Sequence, residues 1–261
     1  GADETFYVDE LKYTALAGGG GGGGGSVTPL TFSSGFAVGG RTVEAGAFGG
    51  YGGSNLDGFN CDGQPQNCGG GGTFTDTAAA SATGFFYYYQ TSAPATALYA
   101  GIFVQAPGLT TGLSATADTA GLQLGNQTTM KFTFGQNPEW FNSGATNRFL
   151  VMLTLGKFYT VGSGACNIKL AQVVTPTAAA ASAYTLNLSN FAVIQDCAVP
   201  GLTAASALAL SPISQVDFQG AGGTSVITVN GVASGANLSV STGSPAVYPT
   251  TVVVNGAITF E

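Results

Sequence analysis

Apolar and polar residues alternate at every second position in run after run along this 261-residue chain. Met130, Phe132 and Phe134 fall on one parity, with Thr129, Lys131 and Thr133 on the other. Phe149, Val151, Leu153 and Leu155 repeat the pattern, as do Tyr184, Leu186 and Leu188 against Thr185, Asn187 and Ser189. A period of two puts successive side chains on opposite faces of a strand, so each run has one face to bury and one to leave wet. That is the signature of antiparallel sheets; strands of parallel sheets are buried on both faces and read as continuous apolar runs.

Strands are expected at Leu30–Val38, Arg41–Phe48, Gly84–Gln90, Leu98–Gln105, Gly121–Leu124, Thr128–Phe134 and Arg148–Leu155. Further strands are expected at Cys166–Val174, Ala183–Leu188, Ala192–Gln195, Ile213–Gln219, Ser225–Val229, Ala236–Val240 and Thr250–Phe260. Gly, Pro and Ser-Asn punctuation between them fits an all-β, antiparallel β-sandwich of jelly-roll-like kind. One helix is expected at Thr203–Leu210, stopped by Pro212. Residues 49–73 are so rich in glycine that they read as a strand-poor surface region.

Charge is scarce: Asp, Glu, Lys and Arg together make up 7% of the chain, against roughly 25% in an ordinary domain. Apolar residues make up 44%, so the chain has a core to bury and is no disordered tail. Its surface must therefore be built from Thr, Ser, Asn, Gln, Gly and Ala. The chain has no His, which removes the usual general base and the usual metal ligand. Six basic residues spread from Lys12 to Lys169 cannot neutralise a phosphate backbone, so nucleic acid is excluded as a partner. No apolar run reaches the ~20 residues that span a bilayer as a helix.

Three segments differ in character. Residues 1–17 carry five of the nineteen charges, residues 18–26 are eight glycines and a serine, and residues 27–261 hold the sandwich pattern. The start, Gly1-Ala2-Asp3-Glu4, reads as a mature or cut end. Four cysteines in two close pairs suggest disulfides Cys61–Cys68 and Cys166–Cys197, and hence an extracellular or cell-surface location.

Candidate chemistry is sparse. Asp57, Asn60 and Asp62 offer hard oxygen ligands around a glycine turn, a calcium candidate without the spacing of an EF-hand loop. Glu139 stands beside Trp140, the chain's one tryptophan, but a turn after a strand accounts for it, and no catalysis is expected. The cluster Phe85-Phe86-Tyr87-Tyr88-Tyr89 places Tyr87 and Tyr89 on one parity, and together with Trp140 they form a candidate glycan platform. Asn126, Asn187 and Asn237 begin N-x-Ser/Thr triplets, acceptors for glycans only on a route that glycosylates.

Two stretches at the ends of the chain carry a resemblance. Thr5-Phe6-Tyr7-Val8-Asp9-Glu10-Leu11-Lys12-Tyr13 resembles the last strand of a galactose-binding-like β-sandwich of the carbohydrate-binding-module type. Thr251–Phe260 resembles the same strand, with Asn255-Gly256 where an acidic pair is expected. Pro212–Phe218 resembles that family's penultimate core strand, and Tyr184–Phe191 its strand followed by Ser-x-Phe.

A strand of C-terminal type at the N-terminus, ahead of a glycine linker, has three explanations. It ends a preceding domain, it pairs within its own sandwich, or it completes a neighbouring copy's sandwich. Eight extended residues reach up to about 28 Å. Burying Phe6, Tyr7, Val8, Leu11 and Tyr13 contributes on the order of 8–15 kcal/mol before chain entropy is subtracted. The expectation is therefore a secreted structural protein whose partners are copies of itself, joined through residues 5–13 into a filament or surface layer. The alternative is a carbohydrate-binding module with a polysaccharide partner. No cofactor other than calcium is expected.

Overall fold

In a computed structural model the described residues are 27–37, 41–52, 56–59, 84–91, 97–109, 120–136, 148–178, 181–223, 226–234 and 250–261. They carry sixteen strands. In chain order the first eight are β1 (Leu30–Ser33), β2 (Phe36–Ala37), β3 (Arg41–Thr42), β4 (Phe48–Gly52), β5 (Leu56–Phe59), β6 (Gly84–Thr91), β7 (Ala97–Gln105) and β8 (Thr129–Gln136). The second eight are β9 (Phe149–Val161), β10 (Gly164–Val174), β11 (Ser182–Asn187), β12 (Ala192–Gln195), β13 (Ile213–Gly223), β14 (Thr228–Val229), β15 (Val232–Ala233) and β16 (Thr250–Phe260).

Two six-stranded sheets result. One runs β11-β8-β16-β6-β5, with β1 also on β16; the other runs β12-β10-β9-β13-β7-β4. Every strand pairing among the described residues is antiparallel, as the period of two requires. The sandwich expected from the sequence is the fold observed.

The core lies between the sheets and is aromatic. Phe134 of β8 stacks on Phe149 of β9, with ring centroids 4.1 Å apart and planes at 21°. Phe132 meets Phe218 of β13 edge-on at 4.9 Å. Tyr184 of β11 stacks on its cross-strand partner Phe132 at 5.3 Å. Met130, Leu153, Leu155, Ile168, Val254, Ile258 and Phe260 complete a layer in which each side chain is fully buried. Each contributes about 1.5–3 kcal/mol by leaving water.

The ladder of β9 with β10 slips between Asn167 and Lys169, so that residues 155–157 of β9 oppose Ile168 alone. Asn167 holds this bulge. Its Nδ2 donates to the carbonyl oxygens of Leu155, Gly156 and Lys157 at 3.0, 3.2 and 3.2 Å, and the side chain is 9% exposed. A second slip, between Asn255 and Thr259 of β16 against β8, contains Gly256 at φ +65°, a conformation that suits glycine. This bulge sits where the resemblance expected an acidic pair.

Several expectations need correction. The strand expected at Gly121–Leu124 is a single bridge from Leu122 to Ile213. A Cβ on Gly121 would lie 2.4 Å from the Ile213 carbonyl oxygen, so the chain touches β13 at one point by close approach instead of running along it. Within the region expected to be strand-poor, β4 and β5 are strands. Gly49 of β4 faces Phe103, whose ring lies 2.9 Å from where a Cβ would be, so this glycine makes room for a ring within the sheet. The strand expected at Ser225–Val229 is reduced to β14, and Asn230-Gly231, at φ +49° and +77°, turns it into β15. Positive φ at both central residues is the type I′ hairpin geometry. This hairpin brings Val229 onto Leu150 and Ala171, on the face of the second sheet that points away from the main core. The strand expected at Ala236–Val240 lies outside the described residues.

The helix is as expected: α1 (Ala204–Leu210) follows Thr203, which caps it through a reciprocal pair of hydrogen bonds with Ser206.

Candidate functional site

β11 ends the first sheet, and its local chemistry is unusual for an edge. Ser182, Ala183, Tyr184, Thr185, Leu186 and Asn187 include no charge, proline or glycine, and they pair with β8 in unbroken register from Ser182↔Phe134 to Asn187↔Thr129. Tyr184 and Leu186 point into the core, while Ala183, Thr185 and Asn187 are exposed. On the same outer face β8 presents Thr129, Lys131 and Thr133, and the Lys131 ammonium is ion-paired with Glu261. The face is thus neutral and composed of small polar groups. Among the described residues, no strand pairs with β11 on its far side.

Two contacts place the start of the described residues at the end of the first sheet where this strand finishes. Gln127 accepts from Gly125 N through Oε1 at 2.8 Å and donates through Nε2 to the Thr28 carbonyl at 3.1 Å. The next residue, Thr128, accepts from Leu188 N at 2.8 Å, where a single 3₁₀ turn (Leu188–Asn190) closes β11. Buried Phe191 follows, matching the strand followed by Ser-x-Phe seen in the sequence.

The other edges are poorer templates. β12 has four residues and an irregular ladder, and Gln195 donates from its side chain to the Asn167 carbonyl at 2.7 Å. Just beyond it, Cys197 bonds to Cys166 with Cα atoms 5.7 Å apart, as expected. β4 is glycine at three of five positions, and β5 is four residues long and contains Asp57.

The cavities offer little acid–base chemistry. A cleft of about 920 Å³ beside the Cys166–Cys197 bond has Asp196 as the one ionisable side chain among the described residues that line it, and Asp196 Oδ1 accepts from Ala198 N at 2.9 Å. A hollow of about 490 Å³ between Leu124, Gln127, Asn187 and α1 has no ionisable group among the described residues that line it.

Of the residues singled out in the sequence, Asp57 lies in β5 opposite Gln90, while Asn60 and Asp62 lie outside the described residues. Among the described residues, no group of three His, Cys, Asp or Glu comes together. Tyr87 and Tyr89 lie in β6 opposite Val252 and Thr250. Glu139, Trp140, Cys61, Cys68 and the residues expected to form a docking strand, Phe6, Tyr7, Val8, Leu11 and Tyr13, lie outside the described residues. Among the described residues, no helix is long and apolar enough to cross a membrane. The β11 edge was not singled out from the sequence. Its signal is there, in an alternating run without charge or proline, but edge position depends on which strands pair.

The fold defines the class of protein: an antiparallel β-sandwich with a disulfide at one end. No family model matches the chain, and no curated protein does. A solved structure with which it shares some likeness is a sialidase, at 12% identity and a TM-score of 0.28, over 78% of this chain. The chain spans 17% of that protein's length.

Proposed function

We propose that this chain is an extracellular structural subunit that assembles with copies of itself into a filament or surface layer, residues 5–13 of one copy adding as a strand to another. The observation that carries this reading is the neutral outer face around β11, where Ala183, Thr185, Asn187, Thr129 and Thr133 surround an internally compensated Lys131–Glu261 pair. Natural edges are blunted by charge, proline or bulges, and β11 has none of these. Uncharged small polar groups dock against copies of themselves with little electrostatic penalty. The Cys166–Cys197 bond suits an oxidising compartment.

Negative-stain microscopy and light scattering of the native chain, beside a variant lacking residues 1–25, test the reading. Polymers that vanish with the deletion support it, and monodisperse particles of about 26 kDa from the intact chain refute it. The aromatic run Phe85–Tyr89 favours carbohydrate recognition as a second reading. A polysaccharide pull-down with Tyr87→Ala and Tyr89→Ala tests it.

A further inference from the structure

We infer that β11 is the edge that accepts residues 5–13 of a second copy, so that the added strand extends the first sheet beyond Ser182–Asn187. The inference rests on the reading that copies assemble through the N-terminal strand, and it names the surface they use.

Three observations converge on it. The first is template quality. Strand addition needs a run of main-chain groups in regular register, and β11 offers six residues without a slip. β12 is short and has a slipped ladder, while β4 is mostly glycine and β5 is short and acidic. The second is side-chain chemistry. An added strand extends both faces of the sheet: beside buried Tyr184 and Leu186 it meets the margin of an aromatic core, and beside Ala183 and Thr185 it meets small uncharged groups. Residues 5–13 supply Phe6, Tyr7, Val8, Leu11 and Tyr13 for such a position. Aromatic and β-branched cross-strand neighbours each contribute about 0.2–1 kcal/mol in such a ladder.

The third observation is where the described residues begin. The Thr28 carbonyl and the Leu188 amide are held by adjacent residues, Gln127 and Thr128, so the described residues begin at the end of the first sheet where β11 finishes, across β8 and β16 from it. Six strand residues cover about 20 Å, which a nine-residue linker, reaching up to about 30 Å, spans. A copy that meets a second near this corner brings its donor toward the second copy's accepting edge and leaves its own edge for a third, the head-to-tail contact that propagates.

The test uses two full-length variants. Ala183→Lys with Thr185→Lys blocks the edge at exposed positions that do not touch the core. Tyr7→Asp with Val8→Asp and Leu11→Asp disables the donor. Circular dichroism and the thermal midpoint establish that both fold as the native chain does. The expected result is that each variant alone is a monomer by light scattering, whereas an equimolar mixture forms one-to-one pairs, because the edge-blocked chain still donates and the donor-disabled chain still accepts.

An edge-blocked chain that polymerises like the native protein overturns β11 as the acceptor and leaves strand-mediated assembly standing. Polymers from the donor-disabled chain overturn the assembly reading itself. A mixture that stays monomeric, from variants that are each folded and monomeric, overturns the pairing of these two elements. Binding about tenfold weaker from Thr185→Lys alone is the intermediate dose expected of an edge lysine.

Discussion

Replacing Asn167 with Asp changes one NH₂ group to oxygen at nearly constant volume, and the bulge in the second sheet makes that exchange costly. The Asn167 amide serves the carbonyls of residues 155, 156 and 157 within a side chain that is 9% exposed. Its two N–H groups shared over three acceptors represent about 2 kcal/mol, at roughly 1 kcal/mol net per hydrogen bond. An ionised carboxylate in the same place faces those oxygens with no donor of its own, so the folded state favours its protonated form and its pKa rises above the unfolded value of about 3.9. Each unit of that rise removes about 1.4 kcal/mol of stability above the raised value.

The sign follows from the protonated form being the one the fold tolerates. The electrostatic penalty is absent below about pH 3.9, grows as pH climbs toward the folded pKa, and is complete beyond it. With a two-unit rise, Asn167→Asp is less stable than the native chain by about 4–5 kcal/mol at pH 7. At pH 3.5 the restored O–H donor reduces the deficit to about 1–2 kcal/mol. Urea denaturation of both proteins at each pH measures the difference directly, with the native chain cancelling the contribution of its own carboxylates. A deficit under 1 kcal/mol at pH 7, or one that does not shrink on acidification, refutes the assignment of Asn167 as the donor that holds the bulge.

Other consequences are simpler to test. Phe134→Ala leaves a void between Phe149, Phe218 and Tyr184 and is expected to cost about 3–5 kcal/mol in the same urea assay. Replacing both Cys166 and Cys197 with Ala frees a loop with a sequence separation of 31, a loss of about 3.7 kcal/mol by chain entropy and visible as a lower urea midpoint. Gly231→Ala forces a Cβ into φ +77° and lowers stability by about 1–2 kcal/mol. Hydrogen exchange places that loss locally, with the amides of β14 and β15 and of Leu150 beneath them losing protection first.

Much of the fold was written in the sequence as periodicity. β8, β9 and β11 lie where alternation placed strands, because runs of period-two apolar residues allow few other conformations, and the capped helix stops short of Pro212 as expected. Local signals failed where glycine serves packing. At Gly49 it clears space for Phe103, at Gly121 it admits the Ile213 carbonyl, and neither neighbour is close in the chain. Asn230-Gly231 is a hairpin signal that can be read directly; the strand before it was expected, and β15 after it escaped notice because it has two residues. The edge position of β11 was the least legible feature. The alternation of Tyr184 and Leu186 identifies a strand, but its place at the margin follows from pairings between segments far apart in the chain.

The centre of the first sheet is its latest strand in chain order. β16 receives β8 along one side and β6 and β1 along the other, and Leu30 of the first strand pairs with Phe260. A nascent chain therefore carries β1, β6 and β8 as strands with no common neighbour until residues 250–260 have been made. Contacts of such long range are slow to form, so folding waits on completion instead of proceeding piece by piece from the N-terminus. Until then β11 has only an unanchored β8 to hold it straight. The β11 edge thus acquires its regular shape in the same event that closes the core.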